Sequence, residues 1–126
     1  MAKASKETAS QTEEAPGYEG RFEELEGYTV GFETYTEDID LSPFFEGLPD
    51  NRCQCPHWGY VLKGKLAYMT ADGEETIEAG EAYYAPPGHT PKLYAGTEVV
   101  EFSPTDELGE TMEVVVKNIE AAGSES

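Results

Sequence analysis

Turn signals recur through residues 64–96 at spacings too short for helices: Gly64, Asp72-Gly73, Ala79-Gly80, Pro86-Pro87-Gly88 and Ala95-Gly96. Asp-Gly favours tight hairpins, and Pro-Pro-Gly makes a rigid turn. The pieces between them, residues 65–70, 74–78, 82–85, 90–94 and 97–102, are short and contain Tyr, Val, Ile and Thr. Upstream, Tyr28–Thr36 reads as another strand, with Tyr28, Val30 and Phe32 on one face. Short strands at this even spacing predict an all-β sandwich or barrel. After Ser103-Pro104 the period changes. Leu108, Met112, Val115, Val116 and Ile119 form a helical stripe. Ser103 as N-cap, Pro104 in the first turn and Gly123 as a stop place one helix over residues 104–122, packed on the barrel or on a partner.

Chemistry concentrates in residues 51–64, NRCQCPHWGYVLKG, which hold both cysteines, one of the two histidines and the only tryptophan. Read as a strand running into Tyr60-Val61-Leu62, this stretch places Cys53, Cys55 and His57 on one face. Residues 37–50 contain two prolines and a glycine and read as a loop, with Phe44-Phe45 as an apolar plug. Residues 1–17 are rich in Ser, Thr, Glu and Ala and predict a disordered acidic tail, and residues 18–27 an irregular lead-in. The resulting organisation is a tail (1–17), a β-domain (18–104) and a C-terminal helix with a short tail (105–126).

With 26 acidic and 8 basic residues the chain carries a formal charge of -18. It therefore lacks the basic face that nucleic acid or an anionic membrane requires. No apolar run approaches the roughly 20 residues of a membrane-spanning helix, and the N-terminus has no apolar centre, which predicts a cytoplasmic protein. Two cysteines in such a chain read as thiols rather than a disulfide. The sequence offers no Ser–His–Asp arrangement, phosphate-binding glycine loop or dinucleotide fingerprint.

Two glycine-framed motifs carry a resemblance that covers roughly residues 47–104. Gly80, Pro86, Pro87 and Gly88 match the frame G-x5-P-x-G, and Gly64 closes a frame of the form G-x5-H-x-H-x3-E-x6-G. The chain thereby resembles a small single-domain cupin of the RmlC-like superfamily. The nearer likeness is to a bacterial subgroup carrying Cys-x-x-Pro-His, then Tyr-Val-Leu-x-Gly and Pro-Pro-Gly-His. The resemblance implies a double-stranded β-helix, the jelly-roll barrel. On its first motif Asn51, Cys53 and His57 occupy the positions of the usual two histidines and glutamate; on the second, Pro91 stands where a histidine is usual and His89 lies two residues earlier. A shift of two preserves the strand face, so His89 still points inward.

The resemblance thus implies a metal site of Cys53, Cys55, His57 and His89, with Cys55 its least supported member. Thiolate with imidazole suits zinc best, with iron or copper as alternatives. The competing reading makes the cysteines small buried apolar groups and the histidines hydrogen-bonded wall residues. Trp58, Tyr60, Tyr83, Tyr84 and Tyr94 read as core or interface; Asn51, Tyr60, Tyr83 and Tyr84 are the candidates for a pocket wall. Two functions follow: a metal-dependent enzyme acting on a small organic molecule, or a non-catalytic cupin that senses or sequesters a metal or small ligand. A homodimer is expected from the barrel's exposed edges.

Overall fold

The computed structural model describes residues 1–124. Ten strands run in chain order: β1 (Gln11–Ala15), β2 (Tyr18–Leu25), β3 (Tyr28–Tyr35), β4 (Ile39–Asp40), β5 (His57–Lys63), β6 (Lys65–Thr70), β7 (Gly73–Glu78), β8 (Ala82–Ala85), β9 (Thr90–Leu93) and β10 (Thr97–Pro104). One helix, α1 (Thr105–Ser124), follows without a break. All pairings are antiparallel, in a six-stranded sheet β1-β2-β3-β10-β5-β8 and a four-stranded sheet β4-β9-β6-β7. The two sheets pack face to face as a jelly roll, and the all-β class with one C-terminal helix is the architecture observed.

The core between the sheets comprises Tyr35, Val61, Leu66, Tyr68, Ile77, Ala85, Leu93 and Val99. Each is the inward member of an alternating strand; Leu66 pairs with both Ile77 and Leu93 in register. A second cluster closes one end: Phe45, Cys53, Cys55 and Val115, with Leu41, Phe44, Leu48, Leu108 and Met112 packed against it. The 3-10 turn Ser42–Phe45 holds α1 there, where Asn118 Nδ2 donates to the carbonyls of Phe44 and Glu46 at 2.7 and 2.9 Å.

Four expectations change. Residues 51–64 are not one strand: a 3-10 turn ends at Asn51, the chain bends, and β5 starts only at His57. Asp50 and Asn51 take positive φ of 55°, and the pyrrolidine of Pro56 removes a ladder donor just before the strand. The lead-in at 18–27 is β2, joined to β3 by a tight turn at Glu26-Gly27, both with positive φ. Within the segment expected to be a disordered tail, Gln11–Ala15 pairs along β2 as an edge strand although all five residues are exposed. Backbone pairing satisfies its N–H and C=O groups without any contribution to the core. Finally, Ser103 is not a helix cap. It belongs to β10 and is buried, Thr105 opens the helix, Val116 and Ile119 face solvent, and the helix continues through Gly123. The inward stripe is Leu108, Met112 and Val115 with the buried hydroxyl of Thr111. Residues 125–126 of the expected tail lie outside the described residues. Among the described residues no helix is long and apolar enough to cross a membrane.

Candidate metal centre

The bend after Asn51 brings Cys53 beside the turn Pro86-Pro87-Gly88. The two segments meet at a β-bridge: Cys53 N donates to His89 O at 2.8 Å, and Gly88 N and His89 N donate to Cys53 O at 2.8 and 3.2 Å. Gly88 makes the turn possible, since its φ of 94° is strained for other residues. An extended strand would separate Cys53 from His57 by about 13 Å. The bend instead leaves Cys53 Sγ 3.6 Å from His57 Nε2. Cys53, His57 and His89 then offer one ligand atom each, all within 4.8 Å of one another, and all three residues are buried. The two imidazoles meet edge to face at 4.9 Å.

The ring of His89 has a defined tautomer. Nδ1 lies 2.5 Å from the Pro86 carbonyl, which can only accept, so Nδ1 carries the proton. Nε2 is left as a bare lone pair, fully buried and without a hydrogen-bond partner. Burial pushes the pKa of His89 down to about 4, so the ring is neutral at pH 7. An orphaned buried acceptor of this kind costs about 1–3 kcal/mol. His57 is oriented the same way: Nδ1 faces Ser103 Oγ at 2.7 Å and Glu101 Oε1 at 3.4 Å, turning Nε2 toward Cys53. Burial raises the Cys53 thiol to about 11 and Cys55 to about 12, so both are protonated without a metal.

These residues fit a divalent metal. Tetrahedral coordination at about 2.0–2.3 Å puts neighbouring donors under 4 Å apart, close to the Cys53–His57 separation. Both imidazoles keep their second nitrogen on an acceptor, as metal-binding histidines do. The donor set supplies two imidazole nitrogens and one thiol that loses its proton on ligation.

Cys55 is not brought into the group. Its Sγ lies 3.5 Å from Pro56 O, and the residue packs, as Cys53 does, in the cluster with Phe45 and Val115. Asn51 is not a wall residue either: it is exposed, and its Oδ1 accepts from Gly47 N at 3.1 Å. Tyr60 lies on the outer face of the large sheet, 42% exposed. Tyr84 reaches the edge of a cleft, but its ring lies against Trp58 at 5.0 Å. Tyr83 alone of the four points inward to the centre.

Glu101, which the sequence does not single out, also belongs to the candidate site. Its Oε2 accepts from Tyr68 Oη at 2.7 Å and from Tyr83 Oη, while Oε1 faces His57. In register it is flanked by Gly59 on β5 and Gly31 on β3. A Cβ at Gly59 would fall 2.4 Å from the Tyr83 ring, so only glycine lets that ring cross β5 to the carboxylate. The available signals were glycines inside two strands and one acid within Val99–Phe102. The inward side of β10 could not be chosen from sequence, because Val100 and Phe102 are as apolar as Val99. Beyond Tyr68 and Tyr83, a cleft of about 410 Å3 opens between the edges of β7 and β8, floored by Ile77, Ala85 and Pro86.

No family model matches the chain, and neither does any curated protein. Solved structures do. A protein of unknown function from Rhizobium leguminosarum matches with a TM-score of 0.58 at 19% identity, over 82% of this chain and 95% of that one. An RmlC-like cupin from Shewanella frigidimarina matches with a TM-score of 0.54 at 13% identity, over 75% and 83%. A sugar phosphate isomerase of a cupin superfamily, from Silicibacter pomeroyi, matches with a TM-score of 0.52 at 13% identity, over 71% and 60%. At these identities the likeness is one of fold: the chain has the cupin jelly roll.

Proposed function

We propose that Cys53, His57 and His89 hold a divalent metal ion, zinc in preference to iron or copper, and that the chain acts on a small organic molecule beside it. The observation that carries this reading is the buried, unpartnered Nε2 of His89, directed into a group with a thiol and a second imidazole. A bound metal of this kind polarises a carbonyl or activates water. The residues around it do the rest. Ser103 and Glu101 orient His57, the Pro86 carbonyl orients His89, and Tyr68 and Tyr83 hold Glu101 in place. Three protein donors leave a fourth position for water or substrate, the arrangement of catalytic sites. Cys55, outside the group in this structure, is the residue that would close the site and favour the alternative, a sensing or sequestering cupin.

The deciding experiment is metal analysis of the chain purified without chelator, followed by zinc titration. One equivalent of bound zinc supports the centre. A chain that never takes up metal, or whose uptake survives loss of both histidines, refutes it.

We further infer a homodimer formed through the outer face of the large sheet. Tyr28, Trp58, Tyr84 and Phe102 are 40–52% exposed there, with Tyr60 and Leu62 in the adjoining row. Two chains of charge -18 repel over most of their surfaces, which leaves this aromatic patch, away from the charged β2 end of the same face, as the part they can share. Two buried free thiols suit a reducing compartment, so the proposal places the protein in the cytoplasm.

A further inference from the structure

The cleft between β7 and β8 has one-sided chemistry. The rings of Tyr68 and Tyr83 stand 5.4 Å apart at 48°, and both hydroxyl protons go to Glu101. A tyrosine hydroxyl has only one proton, so these two oxygens can offer the cleft nothing but lone pairs. Thr70 is also committed, donating to Gly73 O and accepting from Asp72 N. Glu75 pairs in register with Tyr68 on the same inward face and, among the described residues, forms no ion pair or hydrogen bond through its carboxylate. Asp72, Glu74 and Glu81 add carboxylates at the rim, of which Glu74 reaches Lys92 at 3.8 Å. No Lys, Arg or His lines the cleft. Its side chains therefore present carboxylates, aromatic faces and an apolar floor, with the hydroxyls of Thr76 and Tyr84 as uncharged donors and no cationic group.

We propose that this cleft binds a small organic cation, an alkylammonium or quaternary ammonium compound with a short apolar portion. Aromatic faces attract such cations, and the attraction grows in partly desolvated sites. Glu75 and the carboxylate behind the tyrosines repel anions, so phosphorylated and carboxylate ligands are disfavoured. The volume suits a small molecule. A ligand against Tyr68 is one side chain from the metal centre, since the Tyr68 and His89 rings meet at 5.0 Å. The proposal rests on the metal-centred reading for what happens to the ligand, but not for its binding.

The test is calorimetric titration of the full chain, metal-free and zinc-loaded, in 150 mM salt, with choline and butylammonium as probes and butyrate as the anionic control. Both cations should bind with a Kd below about 1 mM, and butyrate should not. Tyr83→Leu should weaken choline about 10-fold, the range of a partly buried cation–π contact, and Glu75→Gln, which removes an exposed carboxylate, about 2- to 5-fold. Glu120→Gln, on the helix, should change nothing, which separates the cleft from general attraction to an acidic chain. Absence of cation binding, equal binding of butyrate, or equal effects of Glu75→Gln and Glu120→Gln would each overturn the proposal. Choline binding by a chain that never takes up zinc would uphold it while refuting the metal centre.

Discussion

Replacing His89 by leucine separates the cost of the metal centre from its benefit. In the metal-free protein His89 Nε2 is a buried acceptor without a donor. Its removal relieves about 1–3 kcal/mol, while the Pro86 carbonyl loses one hydrogen bond worth about 1 kcal/mol. Leucine has a similar volume, so no large cavity opens. His89→Leu without metal should thus be neutral to about 2 kcal/mol more stable, whereas truncating a buried side chain ordinarily destabilises by about 2–5 kcal/mol. For a chain of this size the gain amounts to about 0–10 °C in Tm. Zinc reverses the ranking. At a thousandfold excess over Kd a ligand that binds only the folded state adds about 4 kcal/mol, an upward shift of about 10–20 °C in the wild type, and the variant should lose nearly all of it. The assay is thermal unfolding followed by circular dichroism, each protein in chelator and in excess zinc. A metal-free His89→Leu protein destabilised by more than about 3 kcal/mol would show that the ring is a structural wall group satisfied in some other way.

At the thiols, Cys53→Ser should weaken zinc binding more than about 100-fold, since changes outside the coordination shell already cost about 10- to 100-fold; equilibrium competition with a chromogenic chelator measures it, and Cys55→Val should change affinity little. Glu33, bonded to Tyr35 at 2.5 Å, has its pKa raised to about 8 by burial and then by Glu101. The folded state therefore keeps a proton that the unfolded state releases above about pH 4.5, so this contribution to stability is complete below that pH and is lost as pH rises through 8. Glu33→Gln should flatten that decline in denaturant titrations between pH 5 and 8, and an unchanged slope would contradict the assignment. Trp58→Lys, which places a charge on the outer aromatic face, should convert a dimer to a monomer by light scattering. Deletion of residues 1–16 should move Tm by no more than about 3 °C, because the exposed β1 gains backbone hydrogen bonds about equal to the entropy of ordering it.

Local chemistry was enough to determine much of this protein. Asp72-Gly73, Gly80, Pro86-Gly88 and Gly96 each restrict φ/ψ within two or three residues, so the succession of short strands and the change to a helix after residue 104 could be read without a partner segment. Cys53, His57 and His89 could be nominated because thiol and imidazole are rare here and stand at framed positions. Tertiary structure decided what depends on non-local distances. Continuous alternation through residues 53–57 would have grouped Cys55 with His57; pairing of Cys53 with His89 bends the chain, brings Cys53 to His57 and leaves Cys55 outside the group. Ser103 has the local chemistry of a helix cap, yet pairing of β10 with β3 draws it inside against His57. Glu101 looks like one acid among 26 until the register of β10 turns it inward between two glycines and the hydroxyls of Tyr68 and Tyr83 reach it. With Val99 on one face of β10 and Val100 and Phe102 on the other, alternation alone does not mark the core face, and only packing against the second sheet does.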